Sequence, residues 1–148
     1  MKKLLSILMC VSLLSISFYS CGSDDDDGDD NGGNGTTLTV RARYEKAETP
    51  GEGLNDAGAK VYLFYDFDFK TAGYTYQVGG KYKKDNTELP AEQSGTTGAD
   101  GTVKLSAKFK NRPLTVVVES KYYEGRFDQI FIENFNESQT VASLFRPE

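Results

Sequence analysis

Residues 113–120 read PLTVVVES, a nearly continuous run of apolar and β-branched side chains. A strand with one solvent-exposed face alternates apolar and polar residues, whereas a strand covered on both faces loses that alternation. We therefore expect residues 113–120 to form a central strand with a layer of structure on each side. The fold then depends on which segments cover this strand.

Three other segments alternate between apolar and polar residues, which is typical of strands with one buried face. They are TLTVRARYEK (37–46), AKVYLFYDFDF (59–69) and TVKLSAKF (102–109). The side chains predicted to point inward are Leu38, Val40, Ala42 and Tyr44, then Val61, Leu63, Tyr65, Phe67 and Phe69, then Val103, Leu105, Ala107 and Phe109. FDQIFIE (127–133) and QTVASLF (139–145) are further predicted strands.

A β-hairpin is predicted in GYTYQVGGKYKK (73–84), because Gly79 and Gly80 supply the positive φ angles that a two-residue turn needs. Turn-forming residues separate the other strands, in TPGEGLNDAG, TTGADG, KNRP and NFNES. No segment carries the apolar stripe of a helix. About seven short strands at this spacing predict an all-β sandwich.

Three segments resemble prealbumin-like domains, a group that includes transthyretin-like, CnaB-like and carboxypeptidase-regulatory-like modules. They are DAGAKVYLF (56–64), TTGADGTVKL (96–105) and LTVVVESKYYEG (114–125). The resemblance implies a seven-stranded Greek-key β-sandwich over 36–148, with an extra hairpin within 70–92. It implies little about function, because such modules host many roles. The isopeptide bond of CnaB-like domains is not expected, since QTVASLF has no asparagine.

The N-terminus has the composition of a secretory signal. Lys2 and Lys3 precede an uncharged apolar run over 4–19, which predicts a signal peptide over 1–20. The run is shorter than the roughly 20 apolar residues that span a membrane. FYSC (18–21) resembles the lipobox of bacterial lipoproteins, with small Ser20 before the cleaved bond. The resemblance implies that Cys21 becomes a lipidated N-terminus, whose acyl chains anchor the protein.

An acidic segment, GSDDDDGDDNGGNG, follows at 22–35. Its composition predicts a disordered tether over 21–35. An acidic run at this place resembles the surface-export signal of Bacteroidota lipoproteins, which implies an outer-membrane location facing the cell exterior. Asp27, Asp29 and Asn31 have the spacing of an EF-hand start, but Leu38 stands where the bidentate glutamate belongs, so calcium is not expected.

Composition excludes several functional classes for residues 36–148. This region has no histidine or cysteine, which removes Ser-His-Asp and Cys-His catalysis and the usual zinc ligands. It holds 15 basic and 16 acidic residues, a balance that argues against nucleic-acid binding. We therefore expect no catalytic residue, no cofactor and no metal site.

Tyrosines are the candidate binding residues, and the first three lie in the predicted hairpin: Tyr74, Tyr76 and Tyr82. With a two-residue turn, Tyr74 and Tyr76 share a face with Lys81 and Lys83, while Tyr82 points to the other face. Aromatic rings beside polar groups suit a glycan or a protein partner. The alternative is that these rings cover the sandwich and stabilise cross-strand pairs.

Two further tyrosines and two aspartates complete the candidates. Tyr122 and Tyr123, in KYYEGRF, are expected to line a loop at one end of the sandwich. Asp66 and Asp68 are expected to form a solvated strand end on the face of Tyr62. The alternative for Asp66 and Asp68 is a carboxylate pair for glycoside cleavage or calcium.

The sequence favours a non-catalytic cell-surface lipoprotein whose β-sandwich is a binding or accessory module. Its expected partners are the membrane, through the lipid anchor, and a glycan or another envelope protein, with the oligomeric state left open. The alternative is a structural or adhesive subunit of a surface assembly such as a fimbria, in which an open edge strand pairs with a neighbour. The candidate edges are LTVRARYE (38–45) and QTVASLF (139–145). A carboxylate-dependent enzyme is a minor alternative.

Overall fold

The computed structural model describes residues 35–148, and its regular structure there consists of eleven strands. They are β1 (Thr37–Lys46), β2 (Thr49–Asn55), β3 (Lys60–Tyr65), β4 (Thr75–Gln77), β5 (Lys81–Lys84), β6 (Thr87–Pro90), β7 (Gln93–Thr96), β8 (Thr102–Ser106), β9 (Arg112–Glu119), β10 (Phe127–Phe135) and β11 (Gln139–Phe145). The predicted signal peptide, Ser20, Cys21 and nearly all of the tether lie outside the described residues. Within those residues, no helix is long and apolar enough to cross a membrane.

Two four-stranded sheets enclose the main core, which confirms the predicted all-β sandwich. In sheet A, β1 pairs with β11 on one side and with β8 and β2 on the other; sheet B has the order β10-β9-β3-β7. The β1–β11 pair is parallel and the other pairs are antiparallel. Both sheets contribute to the main core, whose fully buried side chains include Leu38, Val40, Val61, Leu114, Val116 and Val118. Burying an aliphatic side chain of this size contributes about 1.5–3 kcal/mol, which makes this core the main source of stability.

A third sheet covers the outer face of sheet B. Sheet C is the meander β4-β5-β6, and it encloses an outer core of Phe64, Phe67, Tyr76, Tyr82 and Val117. The strand β9 is therefore covered on both faces, as its sequence predicts, and all its residues from 114 to 119 are buried. The segment 70–92, expected to contain one extra hairpin, instead forms the three strands of sheet C and lies against sheet B.

The β4–β5 hairpin differs from the prediction by one residue. Gln77 pairs with Lys81, so the turn contains the three residues 78–80 rather than two. A one-residue change in register moves every side chain of a strand to the opposite face. Tyr76 and Tyr82 are consequently cross-strand partners on the same, buried face, and the prediction that Tyr76 shares a face with Lys81 is wrong.

The predicted strand over 59–69 ends four residues early. β3 stops at Tyr65, and Asp66 adopts a left-handed φ of 53°, which breaks the alternation. Phe67 lies in the outer core and Phe69 packs against it. The prediction that both rings point into the same core as Val61 is therefore wrong.

The observed strand pairing also corrects the prediction of which strands form the edges of the sandwich. β1 has partners on both sides, so the prediction that 38–45 forms an open edge is wrong. Among the strands that the structure describes, β11 pairs only with β1 and is an edge strand. The segment 49–55, whose glycines and proline predict a turn, forms β2 through its pairing with β1.

Candidate functional site

Two of the predicted binding residues lie between sheets B and C. Tyr76 is 6% exposed and Tyr82 is 0% exposed. The Tyr76 hydroxyl donates to Glu119 Oε1 at 2.6 Å, and the Tyr82 hydroxyl donates to Gln129 Oε1 at 2.5 Å. These bonds fasten sheet C to sheet B, and neither ring offers a free face on which a ligand could stack.

A hydrogen-bond network around Glu119 fixes the β4–β5 turn. The Gly79 amide also donates to Glu119 Oε1, at 2.6 Å, and the Gly80 amide donates to the Tyr76 hydroxyl at 3.1 Å. Burial, and then the hydrogen bond to Glu119, raise the pKa of Tyr76; burial alone raises the pKa of Tyr82. Both phenols therefore remain protonated donors at higher pH than a free tyrosine.

The third hairpin tyrosine, Tyr74, lies half-buried at the rim of the outer core. Its ring meets that of Phe67 edge-on, with centroids 5.7 Å apart. Lys84 Nζ lies 5.6 Å from the Tyr74 ring centroid, which is within the range of a cation–π contact. Both contacts hold Tyr74 against the protein.

Tyr122 and Tyr123 lie at one end of the sandwich, in the loop between β9 and β10. The Tyr122 ring stacks on Tyr44 of β1, with centroids 3.8 Å apart and an interplanar angle of 10°. Tyr123 packs edge-on against both rings, and its hydroxyl donates to the Glu45 carbonyl oxygen at 2.6 Å. Tyr122 is 46% exposed, so part of its ring faces solvent.

Asp56 holds this loop in place from within the fold. Its side chain is 1% exposed, and Oδ2 accepts a hydrogen bond from Ser120 Oγ at 2.5 Å. Oδ1 accepts from the amides of Lys121 and Tyr122 at 3.2 and 3.1 Å. Ser120 Oγ accepts in turn from the Tyr123 amide at 2.9 Å. The position of the Tyr122 ring is thus set by a buried carboxylate from a different loop.

An open pocket of about 410 Å³ lies beside the stacked rings. Its lining residues are Tyr44, Asn55, Asp56, Ala57, Lys121, Tyr122 and Glu124. Aromatic surface is thereby combined with an amide, an ammonium group and carboxylates. We call the stacked Tyr44 and Tyr122 rings, with this pocket, the aromatic platform.

The two candidate aspartates have separate partners. Asp66 Oδ2 forms an ion pair with Arg112 at 2.8 Å. Asp68 accepts from the Lys70 amide at 2.9 Å and from the Thr71 hydroxyl at 3.0 Å. Because β3 ends before both residues, they do not share a strand face. Among residues 35–148, no group of three or more carboxylate, histidine or cysteine side chains is placed to hold a metal ion.

The sequence therefore predicts part of the platform and misses part of it. Tyr122 and Tyr123 are expected at a loop, whereas Tyr44 is expected only as an inward side chain of its strand. Asp56 is missed because NDAG signals a turn, and nothing in the sequence connects it to residues 120–122. A comparison with protein-family models finds no match, and a comparison with curated proteins finds no significantly similar sequence.

Proposed function

We propose that the chain is a non-catalytic cell-surface lipoprotein whose sandwich binds a glycan through the aromatic platform. The observation that carries this proposal is the exposed Tyr122 ring, stacked on Tyr44 beside an open polar pocket. A sugar ring packs its C–H face on an aromatic ring, and its hydroxyls need polar partners at the edge. The platform provides the aromatic surface and the polar edge together.

Rigidity of the platform favours binding. The loop of Tyr122 is held by three hydrogen bonds to Asp56, and Tyr123 braces both stacked rings from the side. A ligand that meets rings already in position does not have to order them, so less conformational entropy is lost on binding.

Attachment to the outer membrane is the second part of the proposal. The apolar run, the FYSC segment and the acidic residues after Cys21 support a lipid anchor that displays the sandwich at the cell exterior. Mass spectrometry of the protein extracted from membranes tests this part. A diacylglyceryl group on Cys21 is expected, and a free thiol at Cys21 would contradict the anchor.

A prealbumin-like Greek-key sandwich is the finer description of the fold that we propose. Its support is the placement of the three resembling segments. The first leads into β3, the second forms the turn before β8, and the third forms β9 with the loop that carries Tyr122.

The binding proposal is tested on a glycan array with the purified full chain. Each neutral glycan that binds is then titrated against the wild type and Tyr122→Ala. Truncation of an aromatic anchor is expected to weaken binding at least about tenfold. Tyr74→Ala is the matched control, because it removes a half-buried tyrosine ring that lies outside the aromatic platform. It should leave the affinity unchanged. Equal affinities for wild type and Tyr122→Ala, or no glycan binding at all, would contradict the proposal.

A structural subunit remains the second candidate, because the structure contains an open edge that suits it. Within residues 35–148, β11 pairs only with β1, and its sequence QTVASLF has no charged residue. Exposed edge strands commonly carry charges that prevent pairing with other chains. Concentration-dependent assembly that Ala142→Lys abolishes would favour this function, and a monomer at all concentrations would count against it.

A further inference from the structure

No described strand covers the outer face of sheet A, in contrast to the outer face of sheet B. Three of its strands lie side by side in a fixed register, so their outward side chains form rows across the sheet. One row is Lys104, Thr39 and Thr140, and the next is Thr102, Arg41 and Ala142. Ser106 and Thr37 begin a third row.

At the outward positions 37–43 of β1 and at those of β8 and β11, this face presents hydroxyls, cations and the apolar Ala142 and Leu144, with no carboxylate. Glu45, further along β1, is 8% exposed and forms an ion pair with Arg146 at 3.4 Å. Among the described residues, Arg41 and Lys104 form no ion pair with a carboxylate. Asp100 borders the face, and its two oxygens accept from the Thr102 amide and hydroxyl at 2.9 and 2.5 Å. The hydrogen bonds from Thr102, and then the positive charge of Arg41, lower the pKa of Asp100. Since neither Arg41 nor Lys104 is within ion-pair distance of a described carboxylate, both can still bind an external anion.

A depression gives the face a defined place for a ligand. It has a volume of about 300 Å³ and is lined by Thr37, Thr39, Lys104, Ser138, Gln139 and Thr140. Ser138 is held there because its Oγ accepts from the Thr37 amide at 2.8 Å. One ammonium group is therefore surrounded by four hydroxyls and an amide.

We propose that this face binds an acidic polysaccharide, one that carries sulfate or carboxylate groups. Ammonium and guanidinium groups make strong charge-assisted hydrogen bonds to such anions, and the neighbouring hydroxyls can both donate to and accept from sugar hydroxyls. Strands lie about 4.8 Å apart and same-face side chains about 7 Å apart along a strand, so the contacts repeat at close intervals along a chain ligand. A single-stranded nucleic acid fits less well, because these rows contain no aromatic ring on which bases could stack.

The acidic-polysaccharide site is separate from the aromatic platform. Thr39 and Tyr44 are five residues apart on β1, a distance of about 17 Å along a strand. The inference therefore does not depend on the proposed function, and Tyr122→Ala should leave binding at this face unchanged.

The test is a binding titration of the purified full chain with three probes at low ionic strength. Heparin fragments and polygalacturonate carry sulfate and carboxylate, and dextran is the neutral probe. Both acidic probes should bind, with affinity that falls as salt is added, and dextran should not bind at this face. Arg41→Gln with Lys104→Gln should weaken binding at least about tenfold.

Two lysines outside the rows of sheet A provide the charge control. Lys83→Gln with Lys110→Gln changes the net charge by the same amount away from this face, and should weaken binding less than about twofold. Thr39→Val removes the central hydroxyl without changing charge or shape, and a several-fold loss is expected. Equal losses in the two double variants would show non-specific charge attraction and overturn the proposal. Undiminished binding by Arg41→Gln with Lys104→Gln, or no binding of either acidic probe, would also overturn it.

Discussion

Asp56 and Ser120 are 64 residues apart in the chain, yet a 2.5 Å hydrogen bond joins their side chains at one end of the sandwich. The bond connects the loop before β3 to the loop after β9, and both partners are buried. The position of the exposed Tyr122 ring therefore depends on a hydrogen bond that also holds two loops of the sandwich together. Stability and ligand binding should depend on this link together.

Asp56→Ala should destabilise the protein by about 1–3 kcal/mol, because it leaves buried donors of the Ser120 loop without an acceptor. Urea unfolding followed by circular dichroism measures the effect. Asp68→Ala is the control, since Asp68 only bonds within its own short turn, and should cost less than about 1 kcal/mol. Equal losses for the two variants would contradict the role assigned to Asp56.

Two buried serines should respond in opposite directions to alanine. Within the part of the chain that the structure describes, Ser143 Oγ is buried without a hydrogen-bond partner. Ser143→Ala removes that unsatisfied group, and it should be neutral or stabilise the protein by up to about 1 kcal/mol. Ser120→Ala removes the bond to Asp56 and should destabilise the protein. The free energies of unfolding of the two variants check this ordering, which a larger loss for Ser143→Ala would contradict.

Alanine substitutions at two adjacent glycines of the β4–β5 turn compare the cost of backbone strain alone with the cost of strain plus a steric clash. Gly79 and Gly80 both have positive φ, of 102° and 79°, so alanine strains the backbone at either position by about 1 kcal/mol. A Cβ at Gly79 meets no atom within 4 Å, whereas a Cβ at Gly80 overlaps the Tyr62 ring. Gly80→Ala should therefore cost at least about 1 kcal/mol more than Gly79→Ala.

Hydrogen exchange locates the consequence of this clash. Gly80→Ala should speed amide exchange across β4 and β5, because the turn can no longer approach sheet B. Exchange that accelerates equally in Gly79→Ala would show that the contact with Tyr62 is unimportant.

Particular residues show where sequence reasoning succeeds. The run 113–120 identifies the doubly covered strand, and the alternation of 37–46 identifies the inward side chains of β1, because burial on one or two faces directly sets these patterns. Sheet C cannot be predicted from such patterns, because its strands have only three or four residues and are positioned by their contacts with β9 and β10.

The errors also have physical causes. Two adjacent glycines fit a two-residue or a three-residue turn equally well, and the one-residue difference decides whether Tyr76 is exposed or buried. The aromatic platform needs Tyr44, Asp56 and Tyr122 to meet, and their spacing in the sequence gives no sign of that contact.

The protein should lose stability at alkaline pH through its two buried phenols. Tyr76 and Tyr82 have raised pKa values when folded, whereas in the unfolded chain they ionise near the ordinary value of about 10. Above that pH the unfolded chain releases protons that the folded chain retains, so the free energy of unfolding falls as pH rises. Below it, their contribution is fully present.

Urea unfolding between pH 9 and 11 measures this dependence. Tyr76→Phe with Tyr82→Phe should reduce the slope, by up to about 1.4 kcal/mol per pH unit for each phenol removed. Tyr122→Phe is the control at an exposed ring. An unchanged slope in the double variant would assign the alkaline instability to other groups.

The most direct test of the aromatic platform is an NMR titration of the purified protein with labelled tyrosine rings and the tightest-binding neutral glycan from the array. The resonances of Tyr44 and Tyr122 should shift together, and the sugar protons should move upfield as they meet a ring face. Shifts confined to the tyrosines of sheet C, with Tyr44 and Tyr122 unchanged at saturation, would contradict it.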